Sequence, residues 1–273
     1  MERALSEDLG SGDVTSNACL PETLQVDAEI EARAPLVVCG LEVAAACFAA
    51  VDVKLKFSPL RRDGDFVGAS TALARVHGSA RAVFAGERIA LNFLGRLCGV
   101  ASLTRRYVAA VSGTRARILD TRKTLPGWRA LDKYAVAVGG GTNHRFGLFD
   151  AVLIKDNHIA AAGGVGAAVK AARASAAPHL AIQCEVESLA QAEEALDAGA
   201  NLLLLDNCTP AELREFVARF GERASLEASG GVNLENVRAV AESGVHRISI
   251  GALTHSALAA DVALEVRARK EVS

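Results

Sequence analysis

The sequence predicts an α/β protein in two parts: an N-terminal α+β sandwich domain over residues 1–93 and, over 94–257, an open, incomplete parallel α/β barrel of about six strands. Three observations carry this prediction. The early strand candidates alternate apolar and charged residues, as half-buried strands do. The later candidates are continuous apolar runs, as strands covered on both faces are, and helical segments separate them.

In chain order, MERALSEDLGSGDVTS is acidic and lacks the apolar stretch of a secretory signal. VDAEIEAR at 26–33 alternates strictly and VKLKF at 53–57 does the same, so both are expected as strands with one face in water. LEVAAACFAA at 41–50 reads as a buried helix, and a third strand is expected around Thr71 to Val76. A long helical stretch begins near Glu87, with Ile89, Phe93 and Leu97 on one face; Gly95 and Gly99 weaken it and allow two helices instead of one.

From there the pattern of apolar run, polar cluster and helical segment repeats. The runs are ARILD at 116–120, AVLIKD at 151–156, AIQCE at 181–185, LLLLD at 202–206, SLEAS at 225–229 and RISIG at 247–251. GGGTNHR at 139–145 follows a helical segment and precedes a strand, which makes its glycines a helix stop. Residues 258–273 are expected to form a helix or strand that returns to the first domain. Closed barrels of this kind have eight strands and take roughly 250 residues. The shorter one here leaves an open side that the first domain or a second copy must cover, and a homodimer at least is expected.

Bulk composition narrows the partners. A chain that is 51% apolar and 23% charged is an ordinary globular protein, which excludes disorder. With a net charge of -2 and no long Lys/Arg run, nucleic acid and anionic membrane are not expected partners. Nowhere do 18 apolar residues run together as a membrane span requires, so the expected location is cytoplasmic. The six cysteines form no C-x-x-C pair and lie mostly in apolar segments; they are expected as reduced core residues, not as zinc ligands or disulfides.

Chemistry is expected where the strands end, because parallel barrels place their sites there. Arg122 and Lys123 follow the first run, His144 and Arg145 precede the second, and Lys155 ends it. Four cations and an imidazole in one place repel each other unless anions are bound, which points to a ligand with several negative charges. Glu185 and Asp206 end neighbouring runs and suit a divalent cation or sugar hydroxyls; Glu187 is expected to play a structural part. ASGGV at 228–232 and SIGALTHS at 249–256 put small residues where backbone amides can approach a phosphate, with His255 as a donor or a cap. No nucleotide-binding glycine loop or serine-nucleophile elbow is present, which removes support from kinase and dehydrogenase readings.

EDLGSGDVTS, RIALNFLGRLCGVAS, the stretch TRKTLPGWRALDKYAVAVGGGTNHRFGLFD, LIKDNHI, CEVES, LLLLDN, LEASGGV and ISIGALTHS together resemble the quinolinate phosphoribosyltransferase family, in order and over nearly the whole chain. The resemblance implies transfer of phosphoribose from 5-phosphoribosyl 1-diphosphate to quinolinate, with Mg2+ and no organic cofactor. The products are nicotinate mononucleotide, CO2 and pyrophosphate. It also implies a dimer or an assembly of dimers. Arg122, His144 and Arg145, with Thr121 beside them, are then expected at the pyridine dicarboxylate. Lys123 and Lys155 fall between that ligand and the diphosphate, and Arg88 reaches in from the neighbouring subunit. Glu185 and Asp206 are expected near the ribose hydroxyls and Mg2+. Ser229, Gly230, Gly231, Ser249, Gly251 and His255 fall on the 5-phosphate side.

Two other readings compete. A non-catalytic barrel that senses a phosphorylated sugar predicts binding without turnover. A related transferase-like protein of molybdenum uptake departs at the KDNH motif, which this chain keeps as Lys155, Asp156, Asn157 and His158.

Overall fold

The computed structural model describes residues 1–267, and the chain divides into two compact units. Among the described residues, 1–103 and 257–267 form the first; Thr104–Ser256 form the second. The boundary lies ten residues beyond the 93/94 division expected from sequence, because the long helix begins in one unit and ends in the other.

The first unit opens with α1 (Glu2–Leu9) and α2 (Val14–Cys19). Asp13 caps α2 by accepting from the backbone N–H groups of Thr15 and Ser16. Then come β1 (Gln25–Ala32), β2 (Leu36–Val37), α3 (Leu41–Val51), β3 (Lys56–Pro59), β4 (Phe66–Val67), β5 (Thr71–Ser79) and α4 (Ala80–Ala110). The main sheet gains its fourth strand from β12 (Val262–Arg267), in the order β12-β1-β5-β3, with β1 antiparallel to both neighbours. The segment from residue 258 thus returns to the first domain, with its strand over Val262–Arg267; 268–273 lie outside the described residues.

Alternation in β1 has its expected result. Ala28, Ile30 and Ala32 enter the core with Leu73, Ala74 and Val76, while Glu29 and Glu31 meet Arg75 and Arg267 across the strands and Glu31 also meets Arg33 just beyond its own strand. The VKLKF strand starts later than its alternation suggests. Leu55 N donates to the Asp52 carbonyl and Lys54 N to the Asp52 side chain, so a turn occupies 52–55 and leaves Val53 at the surface.

Helix α4 is one helix, not two, and begins seven residues before Glu87. Its glycines serve close approach. A Cβ at Gly99 would collide with the Leu258 carbonyl oxygen, and one at Gly95 would lie 3.1 Å from that of Ala260, whose N–H donates to the Gly95 carbonyl. Packing against 258–260 thus offsets the propensity cost of about 1 kcal/mol per glycine. Cys98 and Ser102 face the same unit: the Cys98 thiol donates to the Cys39 carbonyl, and Ser102 Oγ accepts from Val37 N at 2.8 Å. Burial pushes the Cys98 thiol up to about 12. The core assignment holds for Cys39, Cys47, Cys98 and Cys184. It fails for Cys19, which is exposed at the end of a short helix, and for half-buried Cys208.

The second unit is a parallel sheet of β6 (Arg117–Leu119), β7 (Val152–Ile154), β8 (Ile182–Val186), β9 (Leu202–Asp206), β10 (Ser225–Ser229) and β11 (Arg247–Ser249). Its order is β6-β11-β10-β9-β8-β7, which leaves β6 and β7 as the edges of an unclosed barrel. Helices α5 (Arg129–Val138), α6 (Asp156–Ala162), α7 (Val165–Ser175), α8 (Leu189–Asp197), α9 (Pro210–Phe220), α10 (Val237–Glu242) and α11 (Ala252–His255) lie between or after the strands. As the glycines predict, α5 stops at Gly139, and the chain then pairs with the β6 edge: Thr142 N donates to the Ile118 carbonyl and Asp120 N to that of Thr142.

A buried ion pair holds this edge. Lys133 Nζ lies 2.6 Å from Asp120 Oδ1, both side chains being almost wholly enclosed. The same oxygen accepts from His144 N at 2.7 Å, and Lys133 also donates to the His144 carbonyl. The Asn143 amide, its nitrogen turned toward acceptors, donates to Asp120 Oδ2 at 2.8 Å. Burial pushes the Asp120 carboxyl above its ordinary value against the pull of Lys133, so the charged pair depends on its full set of partners. Lys133→Met leaves Asp120 buried without its cation and is expected to cost about 3 to 5 kcal/mol in urea unfolding.

Candidate active site

The C-terminal ends of the parallel strands converge on one cavity of about 800 Å³, within the size range of small-molecule sites. Strand β6 delivers Thr121, Arg122 and Lys123, the edge segment delivers His144 and Arg145, and β7 delivers Lys155. Across the rest of the rim stand Asp206 at the end of β9, Ser229 to Gly231 after β10, and Ser249, Gly251 and His255 at and after β11. Thirteen of the fifteen residues expected from sequence therefore line this cavity.

The two others do not. Arg88 is exposed on α4 in the first unit. Glu185 reaches the cavity only through Lys155, whose Nζ lies 2.6 Å from its Oε2. Glu187 is exposed and does not line the cavity.

The cations are held in place by backbone contacts. The Thr254 hydroxyl donates to the Lys123 carbonyl, while Thr121 Oγ1 accepts from Lys123 N. Arg145 donates to the Ala151 carbonyl at 3.1 Å, and Asp150 accepts from the N–H groups of Phe146 and Gly147, which shapes the loop after Arg145. Arg129 joins the two cationic loops by donating to Thr124 Oγ1 and to the Phe146 carbonyl. Burial, followed by the nearby Arg122 charge, lowers the Arg145 guanidinium below its ordinary value. A bound anion relieves that crowding, which gives the cationic side its chemical preference.

The acidic and glycine-rich side is equally specific. Gly230 and Gly231 both have positive φ, and a Cβ at Gly230 would collide with the Asn207 amide. Asn207 itself takes positive φ, rare for a non-glycine residue, and donates to Asp206 at 2.8 Å while its N–H donates to the Ser229 carbonyl. Gly251 leaves room for Lys123 and His255, whose side chains would come within 2.9 and 3.1 Å of a Cβ there.

Three polar wall residues were missed by sequence reasoning: Asn207, His158 and Glu227. The first two follow strand-end residues that were identified, so the motifs DN and KDNH carried a usable signal. Glu227 sits in the middle of an apolar run, and its burial beside cations is invisible without the fold.

Among the described residues no group of three or more His, Cys, Asp or Glu side chains is arranged to hold a metal. Of the two carboxylates on the cavity wall, Glu227 is buried in the sheet and Asp206 is the one less enclosed, and one or two carboxylates are what a Mg2+ ion that also binds phosphate oxygens and water commonly takes. Glu185 could join it only by loosening its pair with Lys155. Among the described residues no helix is long and apolar enough to cross a membrane.

Comparison with known proteins identifies the family. Residues 13–98 match the family described as quinolinate phosphoribosyl transferase, N-terminal domain, and residues 100–265 match its C-terminal domain. A probable nicotinate-nucleotide pyrophosphorylase (carboxylating) of Bacillus subtilis is 41% identical, covering 97% of this chain and 91% of the relative. The corresponding protein of Mycobacterium leprae is 43% identical, with 97% and 95% covered. The solved nicotinate-nucleotide pyrophosphorylase of Francisella tularensis superposes with a TM-score of 0.94 at 35% identity, over 97% of this chain and 94% of that one. With both domains matched in order and relatives similar along nearly their full length, the chain belongs to the quinolinate phosphoribosyltransferase family.

Proposed function

We propose that this enzyme transfers phosphoribose from 5-phosphoribosyl 1-diphosphate to quinolinate and releases CO2, which yields nicotinate mononucleotide for NAD synthesis. The observation that carries the reading is a single cavity with four cations and an imidazole on two strand ends and glycine turns on two others. A pyridine with two carboxylates suits the first group, and a ribose 5-phosphate suits the second. Arg122, Arg145 and His144, with Thr121, take the dicarboxylate. Lys123 and Lys155 stand between it and the diphosphate. Ser229, Gly230, Gly231, Ser249, Gly251 and His255 take the 5-phosphate.

In the reaction, the ring nitrogen bonds to the anomeric carbon as its bond to the diphosphate oxygen breaks, and pyrophosphate carries away the electron pair. The role of this chain is to hold nitrogen and carbon in line and to place cations where negative charge collects. Asp206 lies where it can favour the electron-poor sugar, and Glu185 positions Lys155 through their 2.6 Å contact. Asp206 is the wall residue that would hold a Mg2+ ion bound to the diphosphate, and such an ion would supply charge to neutralise part of the leaving group. The positively charged pyridinium then accepts the electrons left by CO2, and a proton from solvent completes the product.

The exposed Arg88 is proposed to serve the site of a second copy in a homodimer, the arrangement that an open barrel edge favours. Six free thiols suit a reducing compartment, and we place the enzyme in the cytoplasm.

The test is an assay of quinolinate, 5-phosphoribosyl 1-diphosphate and Mg2+ that follows nicotinate mononucleotide and CO2, with nicotinate as the parallel substrate. Both products are expected from quinolinate and none from nicotinate; binding without turnover would replace the enzyme by a sensor. In the same assay Lys155→Ala is expected to lower kcat/KM by roughly one to two orders of magnitude with an unchanged unfolding curve. Asp206→Asn is expected to raise the Mg2+ and sugar diphosphate requirements more than the KM for quinolinate, and the reverse pattern would reassign it. Mixing Arg88→Ala with Lys155→Ala subunits is expected to restore partial activity. No recovery after verified subunit exchange would rule out sharing across the dimer.

A further inference from the structure

The buried carboxylate of Glu227 has no part in the reaction as derived so far. It occupies the centre of β10, is 1% exposed, and pairs in register with Leu204 on one side and Arg247 on the other. A carboxylate removed from water costs several kcal/mol unless partners compensate it. Here the compensation is incomplete. Oε1 lies 3.3 Å from His144 Nε2 and Oε2 lies 3.1 Å from Arg247 Nε, neither with the geometry of a full hydrogen bond, and the Ser249 hydroxyl is the third polar group beside the carboxylate. A strand position filled by leucine in the neighbouring β9 thus holds a charge instead, and the charge faces the cavity wall.

The other side of His144 explains what that charge can do. Arg145 N donates to His144 Nδ1 at 2.7 Å. A ring nitrogen that accepts a hydrogen bond carries no proton, so the proton of the neutral ring sits on Nε2, the atom beside Glu227. The backbone amide and the buried carboxylate therefore select the same tautomer from opposite ends of the ring. Because the contact to Glu227 is long and bent, the Nε2 proton remains available to a second acceptor in the cavity.

We propose that Glu227 is a positioning residue: with the Arg145 amide it locks the His144 ring in the Nε2–H tautomer and aims that proton at the carboxylate of the substrate. Arg247 balances the remaining charge of Glu227. Burial alone would push the Glu227 carboxyl up; the contact with His144, the Arg247 charge and the Ser249 hydroxyl outweigh it and hold the group below its ordinary value. The destination of the proton rests on the reading that His144 meets the dicarboxylate, whereas the tautomer itself does not.

The experiment uses the intact protein with isotope-labelled histidine. A long-range proton–nitrogen correlation spectrum near neutral pH reports the two ring nitrogens of His144, assigned by their loss in His144→Gln. The expected spectrum shows Nδ1 bare and Nε2 protonated without any ligand; a protonated Nδ1 overturns the proposal. In Glu227→Ala the single tautomer is expected to give way to a mixture, with the KM for quinolinate rising about tenfold and that for the sugar diphosphate little changed. Glu227→Gln, whose amide oxygen still accepts, is expected to restore the tautomer and most of the affinity. If the alanine variant does not fold, Glu227→Ala/Arg247→Ala, which leaves no unpaired buried charge, takes its place under the same criteria. An unchanged tautomer and KM in a folded variant overturn the proposal. Absence of turnover by the unaltered enzyme, with the tautomer as expected, would fault the assigned reaction and leave the anchor standing.

Discussion

The site depends on the buried ion pair between Lys133 and Asp120. The six-stranded parallel sheet is not closed, and its first strand would present an unpaired edge. The chain after α5 covers that edge through Thr142, and Asp120 then gathers the next residues by accepting from His144 N and the Asn143 amide. His144 and Arg145 reach the cavity because a carboxylate at the end of one strand fixes the backbone of a segment more than 20 residues later. The full set of donors makes the burial of that charge tolerable.

Charge of both signs is held in layers around the cavity. The wall itself is mainly cationic, and the acids that balance it are set into the sheet: Asp120 against Lys133, Glu185 against Lys155, Glu227 against Arg247 and His144. Such an arrangement keeps the cations folded in place when no substrate is bound, yet leaves positive charge at the surface that a dianion meets first. The lowered Arg145 guanidinium is the local sign of this crowding.

Small residues do a complementary task. At Gly230 and Gly251 the missing Cβ is replaced by Asn207, Lys123 and His255, which approach the backbone closely enough that alanine would not fit without movement. In the first unit Gly99 admits the Leu258 carbonyl against α4 by the same means. Glycine in these places is a packing requirement; the sequence pattern alone reads Gly99 as helix weakness and places Gly230 and Gly251 where backbone amides can approach a phosphate.

Most of the fold was legible in the sequence. Six continuous apolar runs became six parallel strands, the alternating VDAEIEAR became a strand with one charged face, and the polar residues at the run ends came together because parallel strands all finish on the same side of a sheet. Local patterning was enough for these features, since period and run length report burial directly. Tertiary structure decided the rest. The glycines of α4 are matched by a strand-side segment distant in sequence, so one continuous helix wins over two. Glu185 is drawn to Lys155 on the neighbouring strand, and Glu227 lies between Arg247 and His144, contacts that depend on strand order and not on spacing. A sequence specifies which residues are charged and where strands end; which charges meet is set by the register and order of the sheet, because Coulomb and hydrogen-bond contacts act over a few ångströms between residues that the chain keeps far apart.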